Sequence, residues 1–368
     1  MKFTTTRDNL LKPLQLVTGV VERRQTLPVL QNILVAADEN GLSLRGTDME
    51  VEMVAQANEG VTVARPGQTT ISARKLSDIW RALPDGAEVS VEVHDDRAIV
   101  RSGRSRFTLS TLPASDFPGL DSTAADTEFN IPRGDMQRLV RQTSFAMAQQ
   151  DVRFYLNGML LEVTDQHIRS VATDAYRLAM CTLNQGVAGV ERIRAVVPRK
   201  GVLELARMVA DNDEDVRCAV GKNYLRARQG AFSLGTRLLD ATYPDYENVI
   251  PPMPDNRFVA DRETLRSVFG RVGILSNEKY PGVRLGMEAD VLTVQANNPE
   301  QEEAEEEVAV EYGGEKVEIG FNVAYLQDIL GVLDTDSVRI AVSDSESSAL
   351  IDGPGAEHSV YVLMPMNL

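Results

Sequence analysis

Three stretches decide the architecture: KFTTTRDNLLKPL (Lys2–Leu14), EFNIPRGDMQRLV (Glu128–Val140) and RFVADRETLRSVF (Arg257–Phe269). Each sets a phenylalanine in an extended stretch and, seven residues on, the first apolar residue of an amphipathic helix: Phe3 and Leu10, Phe129 and Met136, Phe258 and Leu265. Alternating apolar positions read as strand and a 3.6-residue spacing as helix. Asp8 and Asp261 stand near two of the helix starts, where a carboxylate suits the positive end of the helix dipole.

The likeness continues in register. LSLRGTDMEVEM (from Leu42), IRSVATDAYRLAM (from Ile168) and LTVQANNPEQEEA (from Leu292) each read as strand, polar turn and second strand. A second helix follows in each copy: SARKLSDIWRAL from Ser72, PRKGVLELARMV from Pro198 and NVAYLQDILGVL from Asn322. The alternating segments AEVSVEV, EDVRCAV and DSVRIAV then close the copies. A period of 126 and then 129 residues is the mark of a repeated structural unit. We therefore expect domains at 1–125, 126–253 and 254–368, with linkers near 120–127 and 250–256. Each unit should be α+β, with two helices and about eight antiparallel strands.

Composition narrows the class. The 368 residues are 43% hydrophobic and 25% charged, enough for several modest cores. No stretch approaches the roughly 18 apolar residues of a membrane span, and the Met1–Thr6 start has no apolar run of signal-peptide type. Cys181 and Cys218 both lie in apolar patterns and read as buried free thiols of a reducing cytoplasm. Two separated cysteines give no zinc pattern, and neither a metal nor a cofactor is implied.

With 38 basic and 54 acidic side chains the chain is acidic, which taken alone argues against a phosphate-rich partner. The distribution alters that reading. The third repeat, with 8 basic against 22 acidic residues, carries −14 of the total −16. Glu300, Glu302, Glu303, Glu305 and Glu306 crowd there, whereas Arg97, Arg101, Arg104 and Arg106 cluster in the first repeat. If the end of one chain meets the start of another, the contact is head to tail and yields a filament or a closed ring. Complementary charge would set its register, and Phe107, Leu109, Ile274 and Leu275 would add apolar contact. Lys12, Arg138, Arg141, Arg207, Arg266 and Arg271 lie in or beside the helices, so an inner wall made of helices would be basic while the outside is acidic.

The chain resembles the bacterial DNA polymerase III beta subunits, the sliding clamps. The likeness runs from MKFT to MPMNL and is most specific in LLKPLQ, TLPVLQN, RSGRSRFTLSTLPASDFP, DVRFYLNGMLLE, VATDAYRLA, VPRKG, ILSNEKYPGVRL, NNPEQEEAEE and YVLMPM. It implies the DNA clamp fold: a homodimeric ring of six similar domains, helices lining the hole and sheets outside. It implies a processivity factor without catalysis, which encircles double-stranded DNA irrespective of sequence. A clamp loader would open it, and it would hold the polymerase III alpha subunit and other clamp-binding-motif proteins.

The resemblance also assigns residues. Arg24, Arg74, Gln150, Phe154 and Tyr155 match DNA contacts, the arginines meeting phosphates and the rings stacking on single-stranded template. Leu156, Thr173, Ala175, Tyr176, Arg177, Leu178, Pro244, Val249, Ser348, Val362, Met364, Pro365 and Met366 match an apolar peptide pocket between repeats two and three. Lys75 joins Arg104, Arg106, Phe107, Leu109, Ile274, Leu275 and the five glutamates at the dimer interface. Relatives often carry Tyr at Phe154, His at Tyr176 and a basic residue at Asn248 and Asn367, so partner preference at the pocket would be shifted.

An enzyme is the rival class. The three histidines, His94, His167 and His358, are scattered, and the nucleophile-elbow, phosphate-loop and zincin patterns are all missing. Asp48 and Asp174 recur in matching GTD and ATD turns, which turn chemistry explains better than catalysis. A scaffold oligomer with no role on DNA is the second rival; retention on circular DNA separates it from a clamp.

Overall fold

The computed structural model of the protein describes residues 1–23, 26–119, 127–210, 213–356 and 358–367. In the first repeat β1 (Lys2–Thr6) runs into α1 (Arg7–Gly19). Then come β2 (Asn32–Asp38), β3 (Gly41–Thr47), β4 (Val51–Ala57), β5 (Val61–Arg65), β6 (Gly67–Ser72), α2 (Ala73–Ala82), β7 (Glu88–His94), β8 (Arg97–Ser102) and β9 (Ser105–Leu112). The second holds β10 (Thr127–Ile131), α3 (Arg133–Arg141), β11 (Gly158–Val163), β12 (Ile168–Thr173), β13 (Arg177–Leu183), β14 (Ile193–Pro198), α4 (Arg199–Val209), β15 (Val216–Val220), β16 (Tyr224–Gln229) and β17 (Phe232–Arg237). The third holds β18 (Asn256–Asp261), α5 (Arg262–Val272), β19 (Gly282–Glu288), β20 (Val291–Asn297), β21 (Glu303–Ala309), β22 (Val317–Asn322), α6 (Val323–Val332), β23 (Ser337–Val342), β24 (Ala349–Asp352) and β25 (Ser359–Leu363). The expected linker near 120–127 falls almost wholly outside the described residues.

Local chemistry fixes the strand-to-helix joints. Thr6 caps α1 by accepting from the Asn9 N–H, Asp261 caps α5 through Thr264, and Asn322 caps α6 through Ala324 and Tyr325. Asp8 is not a cap. It sits in the first turn of α1 and accepts from the Gly86 N–H at 2.9 Å. All three phenylalanines and the helix residues seven positions later are buried. Each joint therefore pins one helix to one sheet by the same apolar pair.

The chain divides into two compact units, 1–137 with 197–240, and 138–196 with 241–368, so each takes half of the middle repeat. Sheets run straight across repeat boundaries. In the first unit β17 pairs with β4, and in the second β25 pairs with β13. Following the cross-strand partners of the three phenylalanines gives equivalent apolar rows. One row is Phe129, Cys218, Ala227, Leu234 and, across the boundary, Met53. Another is Phe258, Ile340, Ile351, Tyr361 and, across the boundary, Ala179. The third is Phe3, Val91, Val100 and Phe107. Among the described residues, the ladder on the outer side of β9 engages only Leu112 and Thr111, against β6. Likewise β21 pairs with β20 alone among the described residues.

The same alignment makes Gly46, Ala172 and Ala296 equivalent, since they face Met53, Ala179 and Ala304. A Cβ on Gly46 would lie 2.4 Å from the Val17 carbonyl oxygen of α1, a backbone atom that cannot swing aside. Gly46→Ala is thus an overpacking substitution. It should destabilise the first unit by roughly 1–3 kcal/mol, read as a lower urea midpoint. Ala172→Gly, which opens space instead, should cost only about 0.5–1 kcal/mol.

Candidate functional site

The β12–β13 turn is built by two short polar side chains. Thr173 Oγ1 donates to the Arg177 carbonyl at 2.6 Å and accepts from the Ala175 N–H at 3.1 Å. Asp174 Oδ1 accepts from the N–H groups of Tyr176 and Arg177, both at 3.0 Å. The turn holds Ala175 at φ 76° and leaves the Tyr176 ring 63% exposed. Thr47 and Asp48 build the same turn in the first repeat, with Met49 at φ 79°. Both aspartates of the paired motif are therefore occupied as turn formers.

Beside this turn lies a cavity of about 220 Å³. It gathers Leu156, Thr173, Ala175, Tyr176, Arg177, Leu178, Pro244, Val249, Val362 and Met364, all singled out from the sequence, together with Arg153, Tyr155 and Tyr246. Ser348, Pro365 and Met366 are not in its lining. Ser348 Oγ lies 3.1 Å from the Met364 sulfur, and the Met366 N–H donates to the Gly320 carbonyl, tying the C-terminal tail to β22. Tyr155, expected at DNA, lines this cavity. In the 3-10 turn Phe154–Asn157 the rings of Phe154 and Tyr155 meet edge-on, 6.2 Å between centroids, with Phe154 exposed and Tyr155 half-buried. Nothing in the sequence marks Tyr246 except the aromatic pair flanking Pro244 in YPDY.

Arg177 fixes the floor. Its guanidinium donates to Asp174 at 3.1 Å, to Asp328 on α6 at 2.6 Å and to the Phe145 carbonyl at 2.8 Å. It also lies 4.2 Å from the Tyr325 ring centroid and 5.0 Å from that of Phe145. A planar fork that stacks as it donates is arginine's particular chemistry. With its donors engaged it serves as framework, so the cavity presents an apolar wall suited to leucine and phenylalanine side chains, each contributing roughly 1.5–3 kcal/mol when fully buried.

Of the candidate DNA residues, Arg24 lies outside the described residues. Arg74 is exposed on α2, 3.7 Å from Asp78. Gln150 takes φ 57° at the tip of an exposed loop with Val152 and Phe154. The base of that loop is pinned twice, Asp151 N–H to Asn157 Oδ1 and Asn157 Nδ2 to the Asp151 carbonyl, each at 2.9 Å. Of the helix cations, Arg141 pairs with Asp334, Arg207 with Glu204, Arg266 with Glu263 and Arg271 with Glu306.

At the candidate interface Lys75, Arg104 and Arg106 are exposed and Phe107 and Leu109 half-buried. Ile274 is 75% exposed, and Leu275 beside it is half-buried. Glu300, Glu302, Glu303 and Glu305 are exposed, whereas Glu306 already holds Arg271.

Comparison with known proteins decides the family. Models of the N-terminal, central and C-terminal domains of the DNA polymerase III beta subunit match residues 1–121, 130–245 and 247–367. The chain belongs to the bacterial sliding clamps. It is 52% identical to the beta sliding clamp of Pseudomonas aeruginosa and 48% identical to that of Escherichia coli K12, covering the whole of each. The solved Pseudomonas aeruginosa polymerase III beta subunit superposes with a TM-score of 0.94, and that of Caulobacter crescentus, 35% identical, with 0.91, again over full lengths. Another Pseudomonas aeruginosa clamp structure holds griselimycin. As a sliding clamp the protein is a non-catalytic processivity factor of DNA replication. It has a peptide-binding site, and DNA and a polymerase are its partners. Among the described residues no helix is long and apolar enough to cross a membrane.

The loop beside the cavity carries its own titration marker. Arg153 grips Asp151 with Nε and Nη2, at 3.0 and 2.9 Å; these side-chain bonds, and after them the Arg153 backbone N–H, pull the carboxyl down to about 2 from an ordinary 3.8. The depressed group favours the folded loop above its ordinary value, and the benefit is lost as pH falls through about 2. The Asp151 carboxyl carbon should titrate by NMR near pH 2, and Arg153→Gln should move that midpoint back up toward 3.8.

Proposed function

We propose that two copies of this chain close head to tail around duplex DNA, with β9 of one pairing with β21 of the other. The observation that carries this is the unfinished apolar row. Two of the three repeat junctions are made inside the chain. Transferring their register to the third sets Phe107 opposite Ala304 of the second copy, just as Leu234 faces Met53 and Tyr361 faces Ala179. Arg106 then faces Glu305, Ser105 faces Glu306, Thr108 faces Glu303 and Leu109 faces Glu302. Arg106 and Glu305 oppose charges of unlike sign, and Phe107 on Ala304 separates this register from a slip, since a shift of one or two residues either way would set Phe107 opposite a glutamate. Ile274 and Leu275, with Lys75 and Arg104, flank the same contact.

Domains 1–125, 126–253 and 254–368 then alternate around a hole lined by the helices. Topology holds the DNA, so weak phosphate contacts independent of sequence suffice. Arg24, Arg74, Gln150 and Phe154 supply them, with Tyr155 shared between DNA and the cavity. The cavity takes short apolar motifs from the polymerase alpha subunit, the clamp loader and other clamp-binding proteins, in the cytoplasm. Methionine at Met364 adapts to several such partners.

Retention on nicked circular DNA after loading, and its loss on linearisation, tests the ring; equal retention on both forms overturns it. The register has a sharper test. Phe107→Cys with Ala304→Cys should give a covalent dimer on mild oxidation, because Cys181 and Cys218 are buried and burial raises both thiols, Cys218 to about 12. Cross-linking instead of Ala304→Cys with Ser105→Cys or Leu109→Cys would mean a slipped register. Arg106→Glu should weaken the dimer, and Glu305→Arg should restore it in part.

A further inference from the structure

A buried carboxylate that the clamp function leaves unused stands behind the cavity. Glu162 on β11 has a side chain only 1% exposed, yet five polar side chains converge on it. Arg192 donates from Nε at 2.9 Å, and its Nη2 lies 2.7 Å from the same Oε2. The Tyr246 hydroxyl donates to Oε1 at 2.8 Å, and His167 Nε2 lies 3.2 Å from that oxygen. Arg194 and Arg169 approach to 3.7 and 3.9 Å. Burial pushes the Glu162 carboxyl up, but the bonds from Arg192, His167 and Tyr246 outweigh it and leave the group below its ordinary value.

The same arginines hold the segment that forms one wall of the cavity. Arg169 Nη1 donates to the Tyr246 oxygen at 2.9 Å and pairs with Glu247 at 3.4 Å. Arg194 donates to the Pro244 carbonyl at 3.3 Å, and both guanidinium groups lie just under 6 Å from the Tyr246 ring centroid. Pro244, Tyr246 and Val249 face the cavity, on a segment whose only regular structure is the short 3-10 turn Glu247–Val249. Such a segment keeps its place through side-chain anchors, since it has no ladder of its own.

We propose that Glu162 is a positioning residue for peptide binding: one buried carboxylate organises Arg169, Arg192 and Arg194 and thereby holds the Pro244–Val249 wall in its binding-ready form. This rests on the reading of the cavity as the peptide site. Without the negative charge the three guanidinium groups repel one another, Tyr246 keeps only a neutral oxygen there and the long contact to Glu247 at 3.5 Å, and the wall opens.

The test is fluorescence anisotropy with a labelled clamp-binding-motif peptide of the polymerase alpha subunit, on the full-length dimer. Glu162→Gln and Tyr246→Phe should each raise Kd about tenfold, the effect of one lost charge-assisted hydrogen bond. The double variant should be no worse than either single, because both break one linkage. In the wild type, affinity should fall toward acid as Glu162 gains its proton. Glu247→Gln and His167→Gln should each retain that fall and Glu162→Gln should lose it, which separates Glu162 from the neighbouring titratable groups His167 and Glu247. Met364→Asp serves as the reference. If it abolishes binding while Glu162→Gln and Tyr246→Phe bind within twofold of wild type, or if their effects multiply, the positioning role is overturned and the peptide site stands. If Met364→Asp binds normally, the peptide site itself falls. Should Glu162→Gln fail to fold, Tyr246→Phe, which keeps the ring and removes only the hydroxyl, decides between the two outcomes alone.

Discussion

A sheet edge is a row of unpaired N–H and C=O groups, and in this chain that constraint governs the plan. Two pairs of edges are consumed internally, where β17 meets β4 and β25 meets β13. These joins make the sheets continuous across repeat boundaries, and they explain why the compact units cut the middle repeat in half. A repeat of this kind cannot finish its own sheets. It completes one with each neighbour, so a chain of three ends with one open edge of each type. The basic residues lie on the β8–β9 hairpin and the acidic ones on β21, so the open edges carry opposite charge. Each edge is unlike itself and like the other's complement, which disfavours edge-to-edge aggregation of identical surfaces.

Repetition of the framework leaves the junctions free to diverge. The turn after β3 and the turn after β12 share the same Thr-Asp hydrogen bonds and the same left-handed third residue. Their flanks differ: Glu50 and Glu52 follow the first turn, whereas Tyr176 and Leu178 occupy the matching places after the second. Replacing two carboxylates by a ring and a leucine changes a charged junction, where Glu52 lies 3.8 Å from Arg45, into an apolar one. Asp48 pairs with Lys200 on α4, while Asp174 engages Arg177, whose fork also reaches Asp328 and Phe145. One backbone device thus serves an ion pair in the first unit and the floor of a binding cavity in the second.

Legibility in the sequence follows the range of the interactions concerned. The strand-to-helix joints are readable because Phe3, Phe129 and Phe258 stand at a fixed local spacing from their helix partners. The free thiols Cys181 and Cys218 are readable from their apolar surroundings, and both are buried. Two assignments are not. Tyr155 reads as one half of an aromatic pair, and its ring does meet Phe154 edge-on, but its place in the cavity lining has no mark in the sequence. Glu162 lies in a strand buried at every position, where a charge is costly unless paired. Arg169 is its cross-strand partner in the β11–β12 hairpin and His167 lies in the same hairpin, but Arg192, Arg194 and Tyr246 come from distant segments that no local pattern connects to it. Cations on helices mislead in the opposite direction. Their spacing suggests an open basic wall, whereas most have acidic neighbours.

That neutralisation bears on how DNA is held. Arg141, Arg207 and Arg271 are each paired with a carboxylate, and the chain carries a large acidic excess. A surface built to bind phosphate tightly would leave such arginines open, because affinity scales with the number of counterions released. A protein that must move along a duplex needs the opposite: each phosphate contact must break as readily as it forms. Pairing the cations within the chain weakens the attraction without reversing its sign locally, since a guanidinium bound to one carboxylate still presents other donors. Enclosure supplies residence time, and weak contacts supply mobility. The acidic excess sits almost wholly in the third repeat, which carries −14 of the total −16, so the net charge that argued against a DNA partner says little about the other two repeats, which together are nearly neutral.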